Sequence, residues 1–279
     1  GGRAFALRLH RPGYRSMGEL QSELQWMAHL NANGLGTPEP LASIDGSYCH
    51  EINGTIVDVL EWLEGETLTE RLCSAHPDKL VATFCELGRS LAELHVICDK
   101  WAVPSGFTRP DWNVEGLVGE APVWNRFWEN PLLSPELRRE LANARAAAGN
   151  TLSKIAPQLD HGLIHADVIP DNVLVAGDRI HLIDFDDGGY GFRLFDLATT
   201  LNKIPASANQ GRYEAAFLDG YLAIGDMDLT WLPLFRALRC FTYIGWIMTR
   251  MDQPGSAARL EKFILAARPH LDCFEELTR

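Results

Sequence analysis

The chain has 279 residues, of which 46% are apolar and 22% are charged. These proportions are those of an ordinary globular protein, so the composition excludes a disordered chain. The 37 acidic residues exceed the 25 basic ones by 12, which gives a formal net charge of −12. Such an acidic chain is a poor general binder of nucleic acid phosphates. The charge fits either simple solubility or an acidic site for a cationic substrate.

Apolar runs and cysteines define the expected compartment. The sequence contains no stretch of about 18 apolar residues, so we expect no membrane-spanning helix. The most apolar stretch, residues 232–248, is interrupted by Arg236 and Arg239. The six cysteines form no C-x-x-C pair, which argues against a zinc or redox motif and fits free thiols in a reducing compartment. The sequence therefore predicts a cytoplasmic protein, and it leaves the oligomeric state open.

The first 63 residues combine strand and helix patterns. Gly1-Gly2 is typical of a turn, and residues 4–9 form an apolar run suited to a strand. Apolar residues at helical spacing predict a helix over residues 17–31, with an inner face of Leu20, Leu24, Met27 and Leu30. Two further strands are predicted over residues 44–50 and 55–63. The dipeptide Asn53-Gly54 between them is typical of a hairpin turn.

The rest of the chain is predicted to be mainly helical. Residues 78–98 and 135–156 have amphipathic patterns, and residues 101–133 resemble an irregular insertion rich in Trp, Pro and Gly. A hairpin is predicted from the apolar runs 172–175 and 180–183, which flank Gly177-Asp178. Helices return from about Phe195. We therefore expect a strand-rich part over residues 1–63, a helical part over residues 64–279 and a ligand cleft between them.

A cluster of polar side chains lies on both sides of this hairpin. His165, Asp167 and Asn172 follow the spacing H-x-D-x-x-x-x-N, and Asp184 comes twelve residues after the asparagine. Polar groups so close to buried strands need partners, because an unsatisfied one costs about 1–3 kcal/mol. Carboxylate and amide oxygens are also ligands that suit Mg²⁺. The purely structural alternative is that these residues belong to a turn and a strand end.

The pattern resembles the catalytic loop and metal-binding aspartate of protein-kinase-like enzymes. It is most similar to the aminoglycoside phosphotransferase and choline kinase superfamily, in the branch of type II homoserine kinases and bacterial stress-response kinases. His165-Ala166-Asp167 corresponds to H-[GA]-D in that branch, and Ile183-Asp184-Phe185-Asp186 corresponds to I-D-[FW]-[DE]. The resemblance implies an α+β, bilobal protein-kinase-like fold that uses ATP and Mg²⁺. Its N-lobe would be residues 1–63 and its helical C-lobe residues 64–279.

The resemblance also implies roles for the cluster. Asp167 would orient the attacking hydroxyl and accept its proton. Asn172 and Asp184 would hold Mg²⁺, and Asp186 would reach a second metal ion or the substrate. His165 would support the loop through its backbone. A hydrolytic metal site built from His165, Asp167 and Asp184 is an alternative, although no additional histidine with ligand spacing favours it.

A second support residue is implied further along the chain. Asp196, in the run Phe195-Asp196-Leu197-Ala198, matches a family position that braces the catalytic loop. We expect it to have a structural role.

In the N-lobe, the resemblance implies nucleotide-binding residues. Arg8 takes the place of the basic residue that holds the α- and β-phosphates, where many relatives have lysine, and a guanidinium can grip two phosphate oxygens. Glu23 is its expected helix partner, with Glu19 as the alternative. A surface ion pair with no role in nucleotide binding is the structural alternative. The Glu61 carbonyl and the Leu63 amide would pair with adenine, unless this segment is an ordinary edge strand.

The expected glycine-rich cover over the phosphates has no counterpart in the sequence before Arg8. Two strands that precede this position in the family are missing as well. The N-lobe is therefore expected to be truncated, so the chain is either a fragment or a weak binder of nucleotide.

The segment between Asp184 and Asp196 favours a small-molecule acceptor. It has about a dozen residues and no A-P-E motif, whereas regulated protein kinases need a longer activation segment. Asp187 could attract an ammonium group of the substrate. Several aromatic and basic residues form either a pocket wall or ordinary core: Trp112, Trp124, Phe127, Trp128, Tyr243, Trp246 and Arg250.

The leading hypothesis is therefore an ATP- and Mg²⁺-dependent kinase of a small-molecule hydroxyl. The acceptor would bear an amino group, as homoserine, choline or an aminoglycoside does, but the sequence does not name it. One alternative is a bacterial Ser/Thr protein kinase of the stress-response type. Another is a nucleotide-binding pseudokinase module.

Overall fold

A computed structural model describes residues 3–278, and the predicted turn at Gly1-Gly2 lies outside them. In chain order the helices are α1 (Met17–Ala32), α2 (Leu68–Ser74), α3 (Pro77–Asp99), α4 (Val114–Val118), α5 (Pro135–Ile155), α6 (Arg193–Leu201), α7 (Gln210–Leu222), α8 (Leu232–Trp246), α9 (Ser256–Asp272) and α10 (Phe274–Leu277). The strands are β1 (Phe5–Leu9), β2 (Cys49–Ile52), β3 (Thr55–Glu61), β4 (Glu66–Thr67), β5 (Asp111–Trp112), β6 (His161–Ile164), β7 (Val173–Ala176), β8 (Arg179–Leu182) and β9 (Gly189–Phe192).

The chain divides into two compact units. Unit 1 contains residues 1–109, 162–189 and 203–227, and unit 2 contains residues 110–161, 190–202 and 228–279. The predicted division into lobes after residue 63 stays a prediction. None of the described helices is long and apolar enough to cross a membrane. All six cysteines are free thiols, as predicted.

The first sheet of unit 1 has β3 at its centre, with β1 and β2 antiparallel on either side. Its register places Arg8 directly opposite Asp58. Asn53 and Gly54 both have positive φ, 52° and 78°, as the predicted two-residue hairpin turn requires. The strand predicted over residues 44–50 is wrong, because β2 begins only at Cys49. Asp45 accepts hydrogen bonds from the Ser43 hydroxyl and the Ser47 amide, which folds that stretch into a turn.

Helix α1 confirms the pattern predicted for residues 17–31. Its four predicted apolar residues are fully buried, and a reciprocal capping box between Ser16 and Glu19 begins it. Gly34, with φ of 88°, follows the last turn. The helix therefore presents one face to the core of unit 1, and Glu23 lies on that buried face.

Helices α3 and α7 pack closely within unit 1. A Cβ atom added at Gly88 would collide with the Phe217 carbonyl, and one added at Gly220 would collide with the Cys85 carbonyl. The apolar face of α3 is buried, and Phe84 stacks on Tyr213 at 5.2 Å between ring centroids. Both glycines are therefore needed for the close approach of the two backbones.

The predicted hairpin is formed by β7 and β8, with Gly177 at φ of 67° in its turn. Strand β4 pairs with the outer side of β7. The polar cluster therefore lies in two loops of unit 1, one entering β7 and one leaving β8.

Unit 2 is mainly helical, and aromatic residues fill its core. Trp112 stacks on Phe195 at 5.1 Å, and Phe127 contacts Phe241 at 5.6 Å. The stretch predicted as an irregular insertion contains β5, α4 and a turn of 3-10 helix at Phe127–Glu129. Strand β9, which pairs in parallel with β5, was not predicted, because a glycine-rich stretch of four residues has no strand periodicity.

Candidate active site

The loop that enters β7 holds Asp167 and Asn172 together. The side-chain nitrogen Nδ2 of Asn172 donates to the main-chain oxygen and to Oδ2 of Asp167, both at 3.0 Å. Ala166 has φ of 64°, a left-handed conformation that turns the chain between His165 and Asp167. Since both hydrogen bonds use the nitrogen of Asn172, its side-chain oxygen is the atom suited to ligate a metal ion.

His165 connects this loop to the end of β8. Its Nε2 lies 3.0 Å from the Ile183 carbonyl, and the Asp167 amide donates to its Nδ1 at 3.3 Å. Nε2 is therefore placed to donate to the Ile183 carbonyl, and Nδ1 lies within reach of the Asp167 amide. Because both ring nitrogens bond to the backbone, His165 is unsuited to the alternative hydrolytic metal site. Its predicted support role stays a prediction.

Asp184 follows β8 with φ of 65°. Surrounding protein crowds its carboxyl, although the residue is exposed to solvent, and this raises its pKa. The negative charges of Asp186, Asp167 and Glu23 raise the pKa further, while His165 acts in the opposite sense. A bound cation would relieve this repulsion between carboxylates, so the electrostatics fit a metal ion beside Asp184.

The donor set fits magnesium in particular. Within residues 3–278, no group of three or more His, Cys, Asp or Glu side chains is arranged to hold a metal ion. Mg²⁺ is usually bound through one or two carboxylates together with substrate phosphates. Asp184 and the Asn172 oxygen match that requirement. Asp186 contacts Arg15 Nε at 3.2 Å, and its predicted role as a metal ligand stays a prediction.

The structure brings Arg8 and Glu23 together, as predicted for the nucleotide-binding pair. Arg8 Nη1 donates to Glu23 at 2.9 Å, whereas Glu19 caps α1 instead. Arg8 has a second partner that was not predicted, Asp58, which receives a fork of two hydrogen bonds from Arg8 at 2.8 and 2.9 Å. A charged residue between Val57 and Val59 in an apolar strand was the available signal.

The side chain of Asp58 is fully buried and contacts two side chains, those of Arg8 and His10. Its Oδ2 also lies 2.5 Å from His10 Nε2. Burial alone would raise the pKa of Asp58, but the hydrogen bonds from His10 and Arg8 hold it below its ordinary value. Asp58 therefore stays ionised and fixes the plane of the Arg8 guanidinium.

Two arginines that the sequence analysis did not single out contact the backbone after Asp184. Arg109 is fully buried at its side chain and donates to the carbonyls of Phe185, Asp186 and Gly188. Arg15 donates to the Asp186 carbonyl at 2.8 Å. No pattern in the sequence pointed to either residue, because each acts through main-chain oxygens far away in the chain.

The segment predicted to pair with adenine follows the end of β3. Glu61 is the last residue of that strand, and its side chain accepts a hydrogen bond from Arg3 at 3.1 Å. The Trp62 amide donates to the Ala4 carbonyl at 3.0 Å. The proposed contacts of adenine with the Glu61 carbonyl and the Leu63 amide stay predictions.

The remaining predicted residues have mixed surroundings. Asp196 is buried in the first turn of α6, and its bracing role stays a prediction. Asp187 lies 3.3 Å from Arg15, which offsets part of the charge expected to attract an ammonium group. In unit 2, burial favours core packing for Trp112, Trp124, Phe127 and Trp128. Arg250 lies over the Trp246 ring at 4.1 Å, and a pocket wall at this end of α8 stays a prediction.

Comparison with known proteins identifies the family. The chain belongs to the phosphotransferase enzyme family, which its residues 1–233 match. It is 32% identical over 236 residues to a homoserine kinase from Rhizobium johnstonii, with 77% of this chain and 65% of that protein covered. The chain therefore spans just under two thirds of the length of that relative.

Solved structures show the same fold. A microcompartment-associated aminopropanol kinase has a TM-score of 0.83 and 26% identity, covering 100% of this chain and 88% of that one. An amicoumacin kinase in complex with AMP-PNP, Ca²⁺ and Ami has a TM-score of 0.75 and 20% identity, covering 97% and 82%. The predicted family and the α+β, kinase-like fold are confirmed. The class of enzyme that this family defines is a phosphotransferase.

Proposed function

We propose that this chain transfers the terminal phosphoryl group of ATP to a hydroxyl group of a small, amino-bearing molecule. The observation that carries the proposal is the convergence of Asp167, Asn172 and Asp184 at the open end of one hairpin, where the Ile183 amide donates to the Asn172 carbonyl at 3.0 Å. The Arg8–Glu23 ion pair in the same unit supports it. ATP as the donor is what the family implies, and its use fits a cytoplasmic location.

Asp167 has the surroundings of the residue that handles the acceptor hydroxyl. Asn172 donates to its Oδ2, which orients the carboxylate that would accept the proton of the hydroxyl. As that proton moves to Asp167, the hydroxyl oxygen bonds to the γ-phosphorus, and the bond between this phosphorus and the β–γ bridging oxygen breaks. The products are a phosphate ester and ADP.

Asp184 and Asn172 would hold magnesium, which supplies positive charge at the phosphate oxygens when it is bound. Arg8 would bind the α- and β-phosphates through the second N–H groups of Nη1 and Nη2, since Asp58 and Glu23 use the first ones and orient the guanidinium. These groups orient the donor, while Asp167 orients the acceptor. Positioning and charge stabilisation supply most of the rate enhancement in phosphoryl transfer.

The similar proteins favour a small amino alcohol or hydroxy amino acid as the acceptor. One of them is a homoserine kinase and another is an aminopropanol kinase, and both names describe a small molecule with an amino group and a hydroxyl group. The net charge of −12 also suits a cationic substrate. We therefore place homoserine and aminopropanol first among the acceptors to be tested, followed by choline and an aminoglycoside.

The test is acceptor-dependent release of ADP, with the phosphorylated product identified by mass spectrometry. Asp167→Asn should lower kcat by at least about 100-fold, since general-base catalysis contributes about 10²- to 10⁴-fold. The Asp167→Asn variant should still bind ATP, as measured by thermal shift. Asp178→Asn is the matched control, because Asp178 is an exposed carboxylate in the turn of the same hairpin. Full turnover by Asp167→Asn would contradict the assignment.

The two alternative functions give different results. Transfer of labelled phosphate to polypeptides in a cell lysate, with none to small metabolites, would favour a protein kinase. A thermal shift with ATP and Mg²⁺, but no transfer to any acceptor, would favour a nucleotide-binding module.

A further inference from the structure

We infer that Arg15 and Arg109 form a two-arginine clamp, and that these positioning residues set the orientation of Asp184 by holding the backbone that follows it. The inference deepens the proposed function, since it concerns how the same site is kept ready for a metal–nucleotide complex. It rests on hydrogen bonds within unit 1 and on the backbone conformation of Asp184.

Arg109 holds three successive parts of this segment. Its Nη2 donates to the carbonyls of Phe185 and Asp186 at 2.7 and 2.6 Å, and its Nε donates to the Gly188 carbonyl at 2.7 Å. The segment follows β8 as a turn, in which the Phe185 carbonyl also accepts from the Gly188 amide at 2.9 Å. Buried carbonyls outside a strand need such partners. A buried guanidinium with its donors in a fixed fork satisfies them and fixes their directions at the same time.

Arg15 holds the same segment from the start of α1. Its Nη2 donates to the Asp186 carbonyl at 2.8 Å, so this one oxygen accepts hydrogen bonds from both arginines. Arg15 also contacts the carboxylates of Asp186 and Asp187 at 3.2 and 3.3 Å. The side chain of Arg15 is only 12% exposed, which limits competition from water.

The clamp is joined to the nucleotide-binding pair through one carboxylate. Glu23 accepts from Arg8 at one oxygen and from Arg109 at the other, at 2.9 and 3.3 Å. Arg109 also donates to the Glu19 carbonyl of α1 at 3.1 Å. Helix α1, the phosphate-binding arginine and the segment after Asp184 therefore form one connected network of hydrogen bonds.

Asp184 needs such support because its backbone is left-handed, with φ of 65°. Aspartate is one of the few residues with a side chain that visits this region, and it keeps the conformation only where its surroundings fix it. On one side β8 fixes the chain. On the other side Phe185 is buried against Trp26 and His165, and the two arginines hold the carbonyls that follow. Loosening the clamp would let Asp184 turn away from Asn172.

The experiment uses Arg15→Gln and Arg109→Lys in the whole protein. The first readout is hydrogen exchange of amides 184–188 in the ligand-free protein, which should be at least tenfold faster in both variants. The second is Mn²⁺ binding in the presence of AMP-PNP, measured by electron paramagnetic resonance. Mutation of residues that orient metal ligands typically lowers metal affinity or activity by about 10- to 100-fold, so we expect Mn²⁺ affinity to fall by a factor in that range.

Arg138→Gln is the matched control. Arg138 in α5 of unit 2 likewise donates to backbone carbonyls, those of Asn130, Pro131 and Leu133. It should leave both readouts unchanged. If Arg109→Lys fails to fold, Arg15→Gln alone decides the outcome, because Arg15 lies nearer the surface and binds the same Asp186 carbonyl.

Unchanged exchange at residues 184–188 and Mn²⁺ affinity within twofold of the wild type would overturn the clamp. Both readouts are independent of turnover, so they separate this inference from the proposed function. If the wild type phosphorylates no acceptor but the variants bind Mn²⁺ more weakly than the wild type does, the clamp is supported and the proposed reaction is refuted. If the wild type is active but the variants bind Mn²⁺ normally, the proposed reaction is supported and the clamp is refuted.

Discussion

Ala166 shows how a single backbone angle constrains the loop that enters β7. The residue is fully buried and has φ of 64°, a region that β-branched side chains avoid. Ala166→Val should destabilise the protein by at least about 2 kcal/mol, because backbone strain and overpacking add. Ala166→Gly should stay within about 1 kcal/mol of the wild type, since glycine relieves the strain but loosens the unfolded chain. Urea unfolding of both variants measures the difference.

A similar loss of stability in both variants would contradict this account, because only valine is disfavoured at the positive φ of this position. A loss confined to Ala166→Gly would point instead to packing of the methyl group as the dominant effect.

Among single residues, the sequence was most informative where chemistry and spacing coincide. Asp167, Asn172 and Asp184 could be singled out because their spacing around a recognisable hairpin resembles a family motif, and Glu23 because the same resemblance implies a helix partner for Arg8. Asp58 and Arg109 could not be placed in the same way. Their partners come from distant parts of the chain, so their contacts depend on tertiary packing that no local pattern reports.

At the scale of elements, the packing of α3 on α7 depends on two glycines. Gly88→Ala should destabilise the protein by about 1–3 kcal/mol, because the new methyl group would meet the backbone of Phe217 and force the helices apart. Gly211→Ala is the matched control. Nothing lies within 4 Å of an added Cβ at Gly211, so alanine should leave stability unchanged or raise it by up to about 1 kcal/mol.

Thermal and urea unfolding of the two variants test this prediction. Equal effects of the two substitutions would mean that helix propensity, rather than the close approach of the backbones, governs both positions.

Elements with strong periodicity or turn signals were predicted well. Helix α1, helix α3 and the hairpin of β7 and β8 were each found within a few residues of their predicted bounds. The failures are short strands. Residues 44–48 alternate in polarity like a strand, but the Asp45 side chain bonds to its neighbours and turns the chain. Strand β9 pairs with β5, which is a long-range contact that no local pattern reports.

At the scale of the whole molecule, the raised pKa of Asp184 links folding stability to pH. In metal-free protein the folded state holds this proton at higher pH than the unfolded chain, whose aspartates titrate near about 3.9. Asp184 therefore favours folding at low pH, and this contribution is lost as the pH rises through the folded-state pKa. Above it, the ionised carboxylate destabilises the fold.

Asp184→Asn should thus raise Tm in EDTA by a few degrees at neutral pH and by less as the pH falls toward 4. Asn tolerates the left-handed conformation as well, so a gain that did not vary with pH would assign the effect to the backbone rather than to charge. Asp178→Asn should show no such pH dependence. With ATP and Mg²⁺ the order should reverse, since only the wild type keeps the ionised ligand.

The surroundings of Arg8 have a consequence for the ionic form of the nucleotide. Its single positive charge is matched by Asp58 and Glu23 together, and Arg109 is needed to balance the second of these carboxylates. With Asp167 and Asp184 nearby, this part of unit 1 offers a polyanion no net positive field. ATP without a divalent ion should be repelled there, so the enzyme would discriminate against uncomplexed nucleotide through its own charge distribution.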